Sequence, residues 1–240
     1  MLIVIVLTLF IKEPRVEPLQ VKSVEQRSVW ESILSVVEKF KSGFETFFTR
    51  KHALWFLLLV VFYKLPDAIS GVMVTNFYND MGYTGTEIGL ATKVYGLIAT
   101  LVGAFLAAAI INNLGLYRSL IISAVLIGLT NLGYLLIIAK PDITMLVVAI
   151  SAENFISGFS SALFIMFLGL LCDRNASATQ YALLSALSTF GLRVLGGSSG
   201  FMVEGLGWDS FFIMTSFLFV PSLILIIALK REIIKLKAPE

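Results

Sequence analysis

The sequence predicts an all-α membrane protein built from six spanning helices, and three observations lead there. The 240 residues are 58% hydrophobic and only 14% charged, against roughly a quarter charged in soluble domains. Apolar stretches long enough to cross a bilayer recur between short connections rich in Gly, Asn, Asp and Pro. The few charges within those stretches are gathered in particular helices, so some helices need cover and others can face lipid.

The chain begins with Met1–Ile11, MLIVIVLTLFI, which as a helix reaches only about 16 Å, half a bilayer. It has neither the positive start nor the small-residue cleavage site of a secretory signal. It reads as the remnant of a preceding transmembrane helix, hence as a sign of a fragment or split gene. A polar linker, 12–52, comes next, with Pro14 and Pro18 keeping its start extended. Within it Ser28 and Glu31 have capping-box spacing, and Trp30, Ile33, Leu34, Val37, Phe44 and Phe47 recur near helical period. That pattern fits an amphipathic helix on the membrane surface or a soluble helical connector. His52 stands at the water boundary as an anchor.

Six spans then occupy 53–229, at about 53–75, 87–111, 117–138, 143–171, 179–203 and 210–229, and a basic tail, 230–240, closes the chain. Short loops make successive helices antiparallel neighbours. The linker's cations, Arg118, Arg174, Lys230, Arg231, Lys235 and Lys237 fall on one side of this layout, and Lys140 alone on the other. The positive-inside rule therefore predicts a multi-pass protein with linker and C-terminus in the cytoplasm.

The first span carries Lys64, Pro66 and Asp67 near its centre. Lys64 lies about 17 Å into the helix, where even lenient insertion scales charge about 2.5–3.5 kcal/mol for an ionised residue. Lys64 and Asp67, one turn apart, either neutralise each other or line a wet interior, and Pro66 frees the Phe62 carbonyl beside them. Glu153 and Asn154 stand near the middle of the fourth span and Arg193 in the fifth; Lys93 is shallower and can snorkel. The third and sixth spans have no ionisable residue in their interiors. Spans one, two, four and five are thus expected around a shared chamber, with three and six outside.

Asp67 and Glu153 are the candidate proton carriers, with a structural Glu153–Arg193 clamp as the alternative. Lys64, Asn154 and Arg193 are candidate substrate-binding groups, and Tyr63, Tyr95 and Phe155 candidate aromatic platforms. Gly196 and Gly200 make a small-xxx-small pair for close helix packing. Ser157, Gly158, Ser160 and Ser161 give the fourth span a small, polar face just after Glu153. One cysteine, Cys172, and one histidine exclude a disulfide framework and a Cys/His metal cluster. No cofactor is expected. A nucleic-acid partner is set aside because no basic stripe with interleaved aromatics occurs, and an enzyme because no H-E-x-x-H or nucleophile elbow occurs.

This layout resembles the C-terminal half of a major facilitator superfamily transporter. GAFLAAAIINNLGLYRSL, Gly103 to Leu120, is similar to that superfamily's loop motif: Gly103, Gly115 and Arg118 fit, while Asn112 and Asn113 replace its Asp and Arg. FYNDMGYTGTEIG (77–89), AENFISGFSSALF (152–164) and ATQYALLSALSTFGLRVLGG (178–197) resemble AmpG-type muropeptide permeases. The resemblance implies proton-driven import of anhydro-muropeptides across a bacterial inner membrane for cell-wall recycling. A half of this kind implies a complementary N-terminal six-helix half or a second copy as partner. Acetyl-coenzyme A transporters share the ATQYAL-like segment and stand as the alternative, beside a non-transporting truncated membrane module.

Overall fold

A computed structural model describes Glu38, Glu45, residues 47–172 and residues 177–236. The chain divides into Met1–Lys39 and Phe40–Glu240. Only Glu38 of the first unit is described, and every helix from Ala53 onward belongs to the second. The helix remnant, most of the linker and the Asp173–Asn175 turn lie outside the described residues.

The helices are α1 (Ala53–Asp80), α2 (Gly85–Leu90), a π-helix (Ala91–Gly96), α3 (Leu97–Ala139), α4 (Ile143–Leu171), α5 (Ser177–Gly196), α6 (Ser199–Phe217), α7 (Phe219–Ala228) and α8 (Lys230–Lys235). By length and composition four continuous helical stretches suffice to cross a membrane: Ala53–Asp80, Gly85–Ala139, Ile143–Leu171 and Ser199–Ala228. Two of these are broken by glycine. Gly115 (φ 75°, ψ 164°) and Gly207 (φ 74°, ψ 169°) leave helical geometry in the left-handed half of backbone space, where a side chain would be strained.

Packing shows that the chain reverses at both glycines. One apolar cluster holds Ala53–Tyr63 positions of α1 together with Ala107, Leu120, Leu163, Leu184 and Leu225. The other holds Ile69, Phe77, Ala91, Tyr134, Ile150 and Phe212. Each helical segment runs from one cluster to the other, so the described residues form six rods at 53–80, 85–114, 116–139, 143–171, 177–206 and 208–228. The breaks fall in the loops that the sequence marks as Asn112–Gly115 and Gly205–Gly207.

One boundary differs from expectation. Rod 1 continues five residues past Thr75, because Phe77 and Tyr78 are buried among Tyr134, Trp208 and Phe212. Phe77 and Phe212 meet edge-on at 4.7 Å, and Tyr134 stacks on Phe212 at 4.5 Å. This aromatic knot ties rods 1, 3 and 6. Pro66, for its part, does not divide rod 1, which stays helical from Ala53 to Asp80.

The ends are fastened by side chains. Thr84 and Glu87 form a reciprocal capping box at the start of rod 2, at 2.8 and 3.3 Å. The Tyr83 hydroxyl donates to the Asp142 carbonyl at 3.0 Å, and the Trp208 indole to Asp80 at 3.1 Å. Burial pushes the Tyr83 pKa up, which keeps that hydroxyl a donor. At the opposite end the Arg50 guanidinium donates to the Leu171 carbonyl, an orphan acceptor at the end of rod 4.

Candidate functional site

Side chains on a helix lean toward its N-terminus. Rods 1 and 4 run in opposite directions, so Lys64 leans toward the first cluster and Glu153 toward the second. Lys64 finds three acceptors: Asp67 at 3.2 Å, Ser160 at 2.7 Å and Ser161 at 3.0 Å. An ammonium has three protons, and here each has a partner. The local Lys64–Asp67 pair considered from the sequence exists, but the rod 4 serines turn it into a contact between helices. The Asp67 side chain is 32% exposed against 12% for Lys64, so the carboxylate is the accessible member.

Glu153 lies within electrostatic reach of Asp67, of Tyr134 and of Tyr78. The structure thus gathers Lys64, Asp67 and Glu153 along one seam between rods 1 and 4. Arg193 stands apart. Gly196 of the same helix approaches the Ala68 carbonyl, where an added Cβ would sit 3.1 Å away. Since rods 1 and 5 run in parallel, this places Arg193 near the depth of Lys64. Its side chain is exposed and forms no ion pair among the described residues. The Glu153–Arg193 clamp is therefore not made.

Asn154 serves the seam between rods 2 and 4. Its amide donates to the Ile150 carbonyl at 2.9 Å and its oxygen accepts from Thr100 at 3.3 Å. Around it the backbones touch: a Cβ on Gly103 would lie 2.0 Å from the Phe155 carbonyl oxygen, and one on Gly158 2.2 Å from that of Thr100. Among the three aromatic platforms, Tyr63 needs correction. It is 2% exposed, donates to Ser123 at 2.8 Å and stacks on Phe164 at 5.7 Å, so in this conformation it is a packing residue joining rods 1, 3 and 4. Phe155 is half-buried beside the glycine seam, and only Tyr95, 47% exposed, is open.

Three features carry little or no mark in the sequence. Ser160 and Ser161 stand out as polar positions in an apolar helix, but not as ligands of Lys64. The π-helix carrying Lys93 and Tyr95 has no compositional mark in ATKVYG. Tyr134, in a span without charges, reads as ordinary membrane filler.

The model of the Major Facilitator Superfamily matches residues 65–239. The chain belongs to that superfamily. It is 36% identical over 203 residues to a putative transporter AmpG 4 of Rickettsia felis, covering 84% of this chain and 49% of the relative. A putative transporter AmpG 4 of Rickettsia conorii is 34% identical over 97% of this chain and 55% of its own length. The anhydromuropeptide permease of Escherichia coli K12 is 38% identical over 78% of this chain and 38% of its own length. The chain thus spans about half, or less, of the curated relatives it matches. Membership agrees with the six apolar rods of a multi-pass membrane protein.

Proposed function

We propose that this chain forms the six-helix half of a proton-coupled permease that imports anhydro-muropeptides across a bacterial inner membrane. The substrate class comes from the name of the Escherichia coli relative. The observation that carries the reading is the seam of ionisable groups, Lys64, Asp67 and Glu153, between two apolar rods. Charges at mid-span persist where they face a chamber or a partner.

In this reading Lys64 exchanges Ser160 or Ser161 for a carboxylate of the substrate peptide, while Asp67 and Glu153 take up and release protons. Tyr95, together with Arg193, faces the substrate or the opposing half. That half is a complementary N-terminal bundle or a second copy, because six rods leave the chamber without an opposite wall. Linker and C-terminus face the cytoplasm, following the cation bias. Alternating access is then rocking of one half against the other.

Uptake of labelled muropeptide tests the proposal in cells expressing this chain with and without the N-terminal half of a relative. Uptake is expected only in the pair, competed by unlabelled muropeptide and lost on collapsing the proton gradient. Full-rate uptake by the chain alone removes the requirement for a second wall. Competition by acetyl-coenzyme A instead of muropeptide removes the substrate. In the active pair, Asp67→Asn and Glu153→Gln each abolish gradient-driven uptake while the protein still inserts.

A further inference from the structure

Glu153 interacts with polar groups that its own helix does not supply. Tyr78 of rod 1 is 3% exposed and Tyr134 of rod 3 is 1% exposed, and among the described residues neither hydroxyl meets a partner in good hydrogen-bond geometry, although Tyr134 lies beside both Tyr78 and Glu153. The two rings lie 6.2 Å apart. Both tyrosines interact electrostatically with Glu153. Buried hydroxyls without partners are rare, and a pair beside one carboxyl calls for a physical account.

We propose that Tyr78 and Tyr134 are positioning residues for the Glu153 carboxyl, donating their hydroxyl protons to it in the state of the transport cycle in which it is ionised. Their rings are fixed by the aromatic knot with Phe77 and Phe212. The glutamate side chain, with three rotatable bonds, is the part that moves. With the carboxyl turned toward the hydroxyls, all three groups are satisfied. In the present arrangement, with the carboxyl short of hydrogen-bond geometry, the two phenols remain without acceptors. The third rod, uncharged and expected as a jacket, thereby contributes to the proton-carrying site through Tyr134.

Among the described residues, the titratable groups facing Glu153 are three. Rod 1 offers Asp67 and Tyr78, and rod 3 offers Tyr134. Asp67 is a second carboxyl beside it; the phenols are neutral donors that make an ionised Glu153 tolerable in an apolar surround. This division of labour rests on the reading of Glu153 as a proton carrier, and the test separates the two.

Infrared difference spectra of the purified full chain in lipid nanodiscs, taken between acid and alkaline pH, report the carbonyl band of a protonated carboxyl. The band absent in Glu153→Gln belongs to Glu153. In Tyr78→Phe, Tyr134→Phe and the double variant, the carboxylate bands that appear on ionisation are expected to move, with the double variant moving furthest. Each replacement deletes an unpartnered hydroxyl without opening a cavity, so thermal unfolding is expected at an unchanged or higher temperature. Carboxylate bands at the same wavenumber in all three variants overturn the positioning role while leaving Glu153 as a carrier. Spectra with no Glu153→Gln-sensitive band at any pH overturn both.

Discussion

Rod 4 meets rod 2 and rod 1 in opposite ways. Against rod 2 it presents Gly158 and the Phe155 carbonyl, closing on Thr100 and Gly103 with backbone against backbone. Against rod 1 it presents Ser160 and Ser161, which hold an ammonium. Backbone contact cannot slide without clashes, because packed surfaces admit few alternative arrangements. Hydrogen bonds from a lysine can be handed from one acceptor to another at small net cost, since each is exchanged and not simply broken. The first seam is a fixed joint and the second a replaceable one. A transporter half needs both, a rigid pair to carry motion and a polar site that can change partners.

The largest effects are expected where the fixed joint is overfilled. Gly103→Ala and Gly158→Ala each put a methyl inside the contact distance of a carbonyl oxygen that belongs to helix backbone. Neither neighbour is a flexible tip that can swing aside, so the rods must separate. Overpacking of this kind costs about 1–3 kcal/mol. Unfolding in mixed micelles, followed by circular dichroism, is expected to register that loss for each variant. Because both methyls force the same separation, the double variant should lose less than the two single losses combined. Full additivity would mean that the two glycines act at independent contacts.

The polar seam responds differently. Lys64→Met keeps length and removes the charge, leaving Asp67 without its cation but still a third exposed to water. Folding should therefore change little, while uptake in the paired transporter falls about ten- to a hundredfold, the equivalent of one charged hydrogen bond of about 1.5–3 kcal/mol. Uptake assays alongside the unfolding measurement separate the two. A loss of stability matching that of Gly158→Ala would show that Lys64 is a second fixed joint.

These contrasts mark how far the sequence could be read. Span number, the loops at Gly115 and Gly207 and the charge-bearing rods were legible, because hydrophobic length and glycine placement act locally. Lys64 and Asp67 were legible as a pair because three residues of helix bring them together whatever the fold. Their serine ligands were not, since Ser160 is 96 residues away and only the antiparallel packing of rods 1 and 4 supplies the register. Tyr63 misled for the same reason. Its neighbour Lys64 lies on the polar seam, but one residue along a helix turns a side chain by about 100°, into the core against Ser123 and Phe164. The Glu153–Arg193 pairing failed on depth and direction together, as Glu153 leans toward the tyrosines and Arg193 outward.

Ser160→Ala and Ser161→Ala sharpen the replaceable joint. Each removes one of three acceptors from Lys64, and the remaining serine together with Asp67 holds the ammonium. The expected change is a loss of about 1 kcal/mol per serine, seen as a severalfold weaker uptake. Ser160 is fully buried and makes the shorter bond, so its loss should exceed that of Ser161, which is half-buried. Equal losses would place the ammonium midway between the two in the working protein.

The smallest effect is expected at Gly196, where rod 5 rests on rod 1. A Cβ there would lie 3.1 Å from the Ala68 carbonyl oxygen and 3.3 Å from a Val72 methyl. That is a tight contact and not a collision, so a shift of a few tenths of an ångström accommodates it. The methyl also replaces a helical glycine, a gain of about 0.5–1 kcal/mol. Gly196→Ala should thus leave unfolding within about 0.5 kcal/mol of the parent, since gain and crowding are of similar size. Uptake by the paired transporter is the sharper probe. If rod 5 slides on rod 1 during the cycle, a methyl that is harmless at rest slows transport without affecting stability. If the rods move together, both measurements stay at the parent value, and the fixed part of the half extends from rods 2 and 4 to rods 1 and 5.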